Sequence, residues 1–315
     1  MSSKNIMTVV AVLVVCAIVG YFGFNGSPGG SKGSGAGTIA YLNHNDSDTF
    51  GKVIKDAFAK KAAAEGLNAA FYDAQSDSNV QTDQMNEAIA NRVEAIVLLA
   101  VDADGIIPAV KKANDANIPV ITLNRDTNGG EHLSVLSDDV EAGRLQGEFI
   151  KAKLPPNATI VYLEGTSHQD SAQKRLEGFT QACLNARPDL KLLSVMDGDY
   201  SRAEAMKIMS IWLSIFPKID AVVAGNDEMA LGAIASMKAA NRLDGVIVSG
   251  VDATSLALDA IKSGELAQTV KQDGVAQAET AVDLALQIKN GNTPKQDSII
   301  PFTSITKENI AQFDK

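Results

Sequence analysis

From residue 38 onward the sequence alternates short apolar runs with longer stretches of helical spacing, and it does so twice. The runs at 38–42, 69–72, 95–99, 120–123 and 133–136 read as buried strands. The stretches 50–65, 80–91 and 104–116 between them carry helical spacing, with Gly66 ending the first and Pro119 opening a strand after the third. The same style returns with strands at 159–163, 190–195, 221–224 and 246–251 and helices at 171–185, 202–215, 228–240 and 255–264. Strands joined through helices lie parallel, with the helices covering both faces of the sheet. Two such series predict an α/β protein of two similar, doubly wound parallel-sheet lobes. The 315 residues suffice for this, at roughly 100–200 residues per domain.

In open sheets of this kind ligands bind outside the carboxyl ends of the strands. The residues there are 43–50, Asp102, Asn124, Arg125, 137–139, 165–170, Tyr200, Asn226, Asp227, Asp252 and Gln272. The set is rich in Asp, Asn, Gln and Arg, with two aromatics, and holds no phosphate loop or metal cluster. Such groups suit a polyhydroxylated small molecule. Each hydroxyl both donates and accepts, carboxylates, amides and guanidinium groups match neighbouring hydroxyl pairs, and aromatic faces pack on C–H groups.

Composition narrows the rivals. Hydrophobic residues at 45% and charged residues at 21% are those of a folded globular chain. The net charge of −10, with no clustered Lys/Arg, argues against nucleic acid. Two cysteines cannot make a disulfide framework, and Cys183 reads as a small buried residue of a helical stretch. Three histidines without zinc spacing, and the lack of a G-x-S-x-G elbow or a P-loop, argue against an enzyme. No metal or cofactor is expected.

The N-terminus carries Lys4 and then an uncharged apolar run at 6–24. A positive end followed by an apolar stretch is the order of a secretory signal. The run also reaches the roughly 20 residues of a membrane-crossing helix, with Lys4 then on the cytoplasmic side. Both readings, cleaved signal peptide or retained anchor over 1–24, place the rest of the chain outside the cytoplasmic membrane. Cys16 reads as a thiol in an apolar helix, because 13–15 lacks the small residue of a lipidation site. Residues 25–37 form a Gly/Ser-rich linker. The first 37 residues hold Lys4 and Lys32 and no acids, leaving 26 bases against 38 acids, a net of −12, in the body. Such a body has no electrostatic reason to bind anionic lipid.

The motifs ANIPVITLNR (116–125), KRLEGF (174–179), GNDEMALGA (225–233) and GVDATSLALDAIKSGELAQTV (250–270) resemble the type I periplasmic sugar-binding proteins, the ribose- and galactose/glucose-binding group. The resemblance runs from residue 38 to nearly the end. It implies lobes of 38–137 with 273–302 and of 138–272 with 303–315, joined by a three-crossing hinge near Ser137, Gln272 and Phe302. It implies a monomer that captures a monosaccharide or cyclitol and delivers it to the membrane permease of an ABC importer. Alternatives on the same fold are a sensing component for a chemoreceptor or signalling receptor, or a binder of another polar ligand such as a nucleoside.

The resemblance carries ligand roles onto Asp48, Phe50, Asn124, Arg125, Arg175, Tyr200, Asn226, Asp252 and Gln272, with Phe50 and Tyr200 as the stacking rings. His168, Asp170 and Ser137 are weaker candidates, the first two each one place out of the galactose-type register. Gly51 stands where the ribose binders have a second aromatic, so one wall is expected to be lighter. Residues 153–159 do not match the calcium loop of the galactose/glucose binder, and 199–206 also resembles inositol-type binders. Taken singly, Asp48 also reads as a helix cap, and Asp227 as the cap of the helix at 228. Trp212 with Ile208, Ile211 and Ile215 reads as core, and His44 and His132 as unremarkable loop or edge residues. Arg175→Ala is expected to abolish binding with the fold intact.

Overall fold

The computed structural model describes residues 37–167 and 169–313. The 6–24 segment, with its choice between signal and anchor, nearly all of the linker, Cys16 and His168 lie outside the described residues. The chain runs β1 (Thr38–Asn43), α1 (Thr49–Ala64), β2 (Asn68–Asp73), α2 (Ser78–Ala90), β3 (Ala95–Leu98), α3 (Ile107–Asp115), β4 (Val120–Leu123) and β5 (Leu133–Leu136). It continues through α4 (Asp139–Lys153), β6 (Thr159–Glu164), α5 (Asp170–Phe179), β7 (Lys191–Asp197), α6 (Arg202–Ile215), β8 (Ala221–Ala224), α7 (Asp227–Ala239) and β9 (Ile247–Val251). Next come α8 (Ser255–Ser263), β10 (Gln268–Lys271), α9 (Gly274–Lys289), β11 (Ser298–Ile299) and β12 (Thr303–Thr306).

The central strands are continuous apolar runs because both faces are covered. They build two sheets, ordered β11-β5-β4-β3-β1-β2 and β12-β10-β9-β8-β6-β7. The pairings are parallel apart from β10 with β12. Both sheets wind outward in both directions from their first strand, so each has its switch point there, between β1 and β3 and between β6 and β8. β5 lies in the first sheet while the helix after it, α4, packs on β9 and β10 of the second. β10 lies in the second sheet while α9 packs on β3, β4 and β5 of the first. β11 and β12 again belong to different sheets. Asp138 and Asp273 cap α4 and α9, so at two passages the chain turns directly into a helix of the other lobe. Each such cap contributes about 1 kcal/mol.

Neither α4 nor α9 is among the helices read from spacing. α4 carries Gly143 and Gly147, and α9 buries mostly small residues, so neither shows a stripe of large apolar side chains. The helix expected over 171–185 is α5 followed by a wide turn, Thr180–Leu184. Trp212 and Ile208 enter the second lobe's core, but Ile211 and Ile215 stay 51% and 58% exposed. The buried face of α6 centres on Ala205, Met209 and Trp212, and the two isoleucines fall on its flank. Cys183 is buried, and that burial pushes its thiol up to about 11.

The glycines of α4 instead permit a close helix crossing. A Cβ on Gly143 would stand 1.9 Å from the Arg175 carbonyl oxygen of α5, and one on Gly178 would stand 2.0 Å from that of Val140. Backbone meets backbone there, with no flexible side chain to yield. We therefore expect Gly143→Ala to separate the two helices and to lower stability by about 1–3 kcal/mol, the usual range for overpacking. Urea denaturation would show this as a lower midpoint; an unchanged midpoint would mean that the helices slide apart freely.

Candidate functional site

The carboxyl ends of the two sheets converge on one small cavity. It is lined by His44, Asp48, Phe50, Asn124, Arg125, Asp139, Gln169, Ser171, Arg175, Tyr200, Asn226, Asp252 and Gln272. Its free volume is about 50 Å³. A buried water needs about 10–15 Å³ on such a measure, so the space suits one compact ring. The nine principal residues named from the sequence all line it.

In the first lobe, the loop after β1 brings Asp48 and Phe50 to the wall. Asp48 accepts from Gly51 N as the cap of α1 and also lines the cavity, so capping does not remove it from the wall. Phe50 packs against the start of α9, where a Cβ on Gly274 would lie 3.0 Å from its ring. Asn124, after β4, adopts φ 64° and donates through Nδ2 to Gln277 Oε1 at 3.2 Å. Gln277 is fully buried and donates to Ser137 Oγ at 2.9 Å, tying the end of β4 to the first passage between lobes. Among the described residues, the Arg125 guanidinium has no hydrogen-bond acceptor. Burial, with a smaller contribution from Arg175, lowers its pKa, against the pull of Asp48.

The second lobe's wall is more tightly tied. Arg175 of α5 is 5% exposed. Its Nε donates to Asp139 Oδ1 at 2.8 Å, Nη1 to the Gly225 carbonyl at 2.6 Å and Nη2 to Gln272 Oε1 at 3.3 Å. Burial works against its charge, but Asp139, Tyr200 and Asp252 outweigh it and hold its pKa above the ordinary range. The expectation that Arg175→Ala spares the fold is therefore revised. Removing one partner of a buried ion pair costs about 3–5 kcal/mol. Asn226 caps α7 by accepting from Met229 N at 2.9 Å, and its Nδ2 donates to the Tyr200 carbonyl at 3.2 Å. Tyr200 sits at φ 52° with its hydroxyl 2.8 Å from Ser171 Oγ, its ring lying where any side chain on Gly165 would collide.

Asp252 is held at φ 118°, a conformation that strains any residue but glycine. Hydrogen bonds pin the turn: Asp252 N to Val270 O at 2.9 Å, Ala253 N to Thr269 Oγ1 at 3.1 Å and Thr254 N to Asp227 Oδ2 at 2.8 Å. Thr269 Oγ1 in turn donates to Asp227 Oδ1 at 2.7 Å. Asp227 is thus not the cap of α7. It is a fully buried acid that anchors the Asp252 turn. Burial and neighbouring Asp227 both raise the Asp252 pKa well above the carboxylate range, with Arg175 opposing.

Of the weaker candidates, Asp170 is exposed and pairs with Lys174 at 3.1 Å, and Ser137 is buried against Gln277. Both line an adjoining groove of about 610 Å³ and not the cavity itself. His44, Asp139, Gln169 and Ser171 were not singled out by the sequence. Of these, His44, Asp139 and Gln169 do fall within the strand-end ranges 43–50, 137–139 and 165–170, and Ser171 lies just beyond the last. The wall expected to be light at Gly51 is filled: a Cβ there would lie 2.8 Å from His44 Cε1.

Comparison with known proteins gives consistent matches. Residues 39–293 match the family described as periplasmic binding protein domain. The chain is 31% identical over 273 residues to the ribose import binding protein of Escherichia coli, covering 86% of this chain and 88% of that one. It is 32% identical over 264 residues to the xylitol-binding protein of Mycolicibacterium smegmatis, covering 83% and 74%. An ABC transporter solute binding protein from Bacillus halodurans, solved with bound myo-inositol, superposes with a TM-score of 0.83 at 35% identity, covering 91% of this chain and 99% of that one.

Asp227 makes stability depend on pH. Burial, opposed by the Thr269 and Thr254 hydrogen bonds, pushes its carboxyl up to about 7 from an ordinary 3.8. Between those values the folded chain keeps a proton that the unfolded chain has lost, so stability falls as pH rises. For one such group the slope approaches about 1.4 kcal/mol per pH unit. We expect thermal melts from pH 4.5 to 7 to fall more steeply for the wild type than for Asp227→Asn; parallel curves would exclude this role.

Proposed function

The chain belongs to the periplasmic binding protein family, and on that premise we propose that it captures a monosaccharide or cyclitol between its lobes and delivers it to an ABC importer. It is a binding protein and not an enzyme. The observation that carries the reading is the cavity itself: both sheets contribute the ends of their strands, and the lining pairs hydrogen-bonding groups with the rings of Phe50 and Tyr200. A ligand that touches both walls binds the closed arrangement better than the open one and so shifts the population toward closure. Closure is what the importer's permease then reads, and a chemoreceptor could read the same form. The passages after β5, β10 and β11 act as the hinge, with 38–137 and 273–302 moving against 138–272 and 303–313. One chain supplies both walls, so the site needs no second copy, which supports reading the chain as a monomer.

The family works outside the cytoplasmic membrane, and the 6–24 segment serves as export signal or tether. A micromolar dissociation constant corresponds to about 8 kcal/mol. Polar groups left unpaired by a wrong epimer supply the discrimination.

A thermal-shift screen against pentoses, hexoses, inositols and related polyols tests the reading, because a ligand that binds only the folded state raises its melting temperature. At least one polyol should shift the melt, and silence from all of them would exclude the proposal. With that ligand, Arg175→Lys should weaken binding about 100-fold, or about 2.8 kcal/mol, because an ammonium cannot fork onto two oxygens. Isothermal titration would measure it, and affinity within threefold of the wild type would remove Arg175 from the ligand set.

A further inference from the structure

His44 is an anomaly in the first lobe's wall. It is 5% exposed, lines the cavity and has a buried Nδ1 with no hydrogen-bond partner. Its Nε2 lies 3.8 Å from Asp48 Oδ1. That is too long for a hydrogen bond between them, but it is a spacing at which one ligand hydroxyl reaches both. Its position depends on Gly51. A Cβ there would stand 2.8 Å from His44 Cε1 and 3.0 Å from Asp48 Oδ1, so the imidazole and a side chain at 51 exclude one another. The wall beside Phe50 is therefore polar.

The protonation follows from the surroundings. Burial first, and Arg125 second, hold the His44 pKa well below its ordinary value, so the ring is neutral at pH 7. A neutral ring carries one proton. An orphaned N–H costs more than a bare lone pair, so the proton belongs on Nε2 and the lone pair on the unpartnered Nδ1. A ligand hydroxyl would then donate to the Asp48 carboxylate and accept from His44 Nε2–H.

We propose that His44 is a specificity-determining ligand contact which, with Asp48, reads one ring hydroxyl and thereby selects a cyclitol over a pentose. The inference rests on the proposed function and narrows its ligand class. A cyclitol such as inositol bears a hydroxyl on every ring carbon, so whichever edge meets this wall is polar. A pentopyranose carries one unsubstituted methylene, and its remaining ring atoms offer fewer hydroxyls to a lining that is polar on every side but the two rings. A site built to hydrogen-bond a hydroxyl rejects a ligand lacking it strongly, because its own groups are left unpaired.

The test is isothermal titration of the full chain with myo-, scyllo- and D-chiro-inositol and with D-ribose and D-xylose. The best inositol should bind at least tenfold more tightly than either pentose, a comparison that needs no variant. His44→Phe should then lose at least tenfold in inositol affinity and change pentose affinity less than threefold, while His44→Gln, which keeps a donor, stays closer to the wild type. Thermal melts without ligand establish that the variants are folded. A wild type that prefers a pentose overturns the inference while leaving the proposed function standing. Equal losses for both ligand classes in folded His44→Phe would make His44 merely structural. No binding of any polyol would fail the proposed function itself.

Discussion

The Arg175 guanidinium is the point on which the two-lobed arrangement turns. It bonds Asp139 at the start of α4, just past the first passage between lobes, and Gln272 at the second. Its charge lies 5.8 Å from the ring centre of Phe302, at the third. It also caps the end of β8 through the Gly225 carbonyl. One buried cation thus touches all three hinge segments while facing the cavity. A buried charge is tolerated only where its hydrogen bonds are satisfied and a counter-ion is close, and Asp139 supplies that counter-ion. The backbone crossing at Gly143 and Gly178 brings α5 near enough to α4 for this to happen.

The two walls differ in how firmly they are held. In the second lobe, Arg175, Asn226, Tyr200 and the Asp252 turn are each fixed by hydrogen bonds to backbone or to neighbouring side chains. Positive φ at Tyr200 and Asp252 is strain that those bonds sustain, and it aims both residues inward from strand ends. In the first lobe, Asn124 is steadied by Gln277, but among the described residues the Arg125 guanidinium lacks an acceptor. The second wall is thus held by the protein's own hydrogen bonds, while the half-buried Arg125 guanidinium in the first is balanced chiefly by the nearby charge of Asp48.

Buried glutamines extend this scheme behind the walls. Gln277 of α9 joins Asn124 to Ser137, and Gln146 of α4 donates to the Ala224 carbonyl at 3.0 Å and to Ser249 Oγ at 3.1 Å. Each belongs to the helix that follows a passage, and each secures strand ends of the sheet on which that helix packs. These amides are not visible as site residues in the sequence, because nothing in the local pattern of either helix sets a buried glutamine apart from a solvated one.

The sequence by itself determined the alternation of strand and helix, and therefore two parallel-sheet lobes. It also determined the residues at the strand ends, because a parallel sheet leaves its carboxyl ends open wherever it is built. Asp48, Phe50, Asn124, Arg125, Tyr200, Asn226, Asp252 and Gln272 fall at those ends, but their selection from among their neighbours, and that of Arg175 inside α5, rests on the motif resemblance and not on the strand pattern. Tertiary structure alone decided that α4 and α9 form, since small residues give helices little apolar stripe and their stability comes from the sheets they cover. It alone decided that Asn226 and not Asp227 caps α7, and that Ile211 and Ile215 stay at the surface. It also gave His44 its place. A histidine near a strand end carries no signal of its own, and only the missing side chain at Gly51, packed against it across the loop, turns that imidazole into part of the wall.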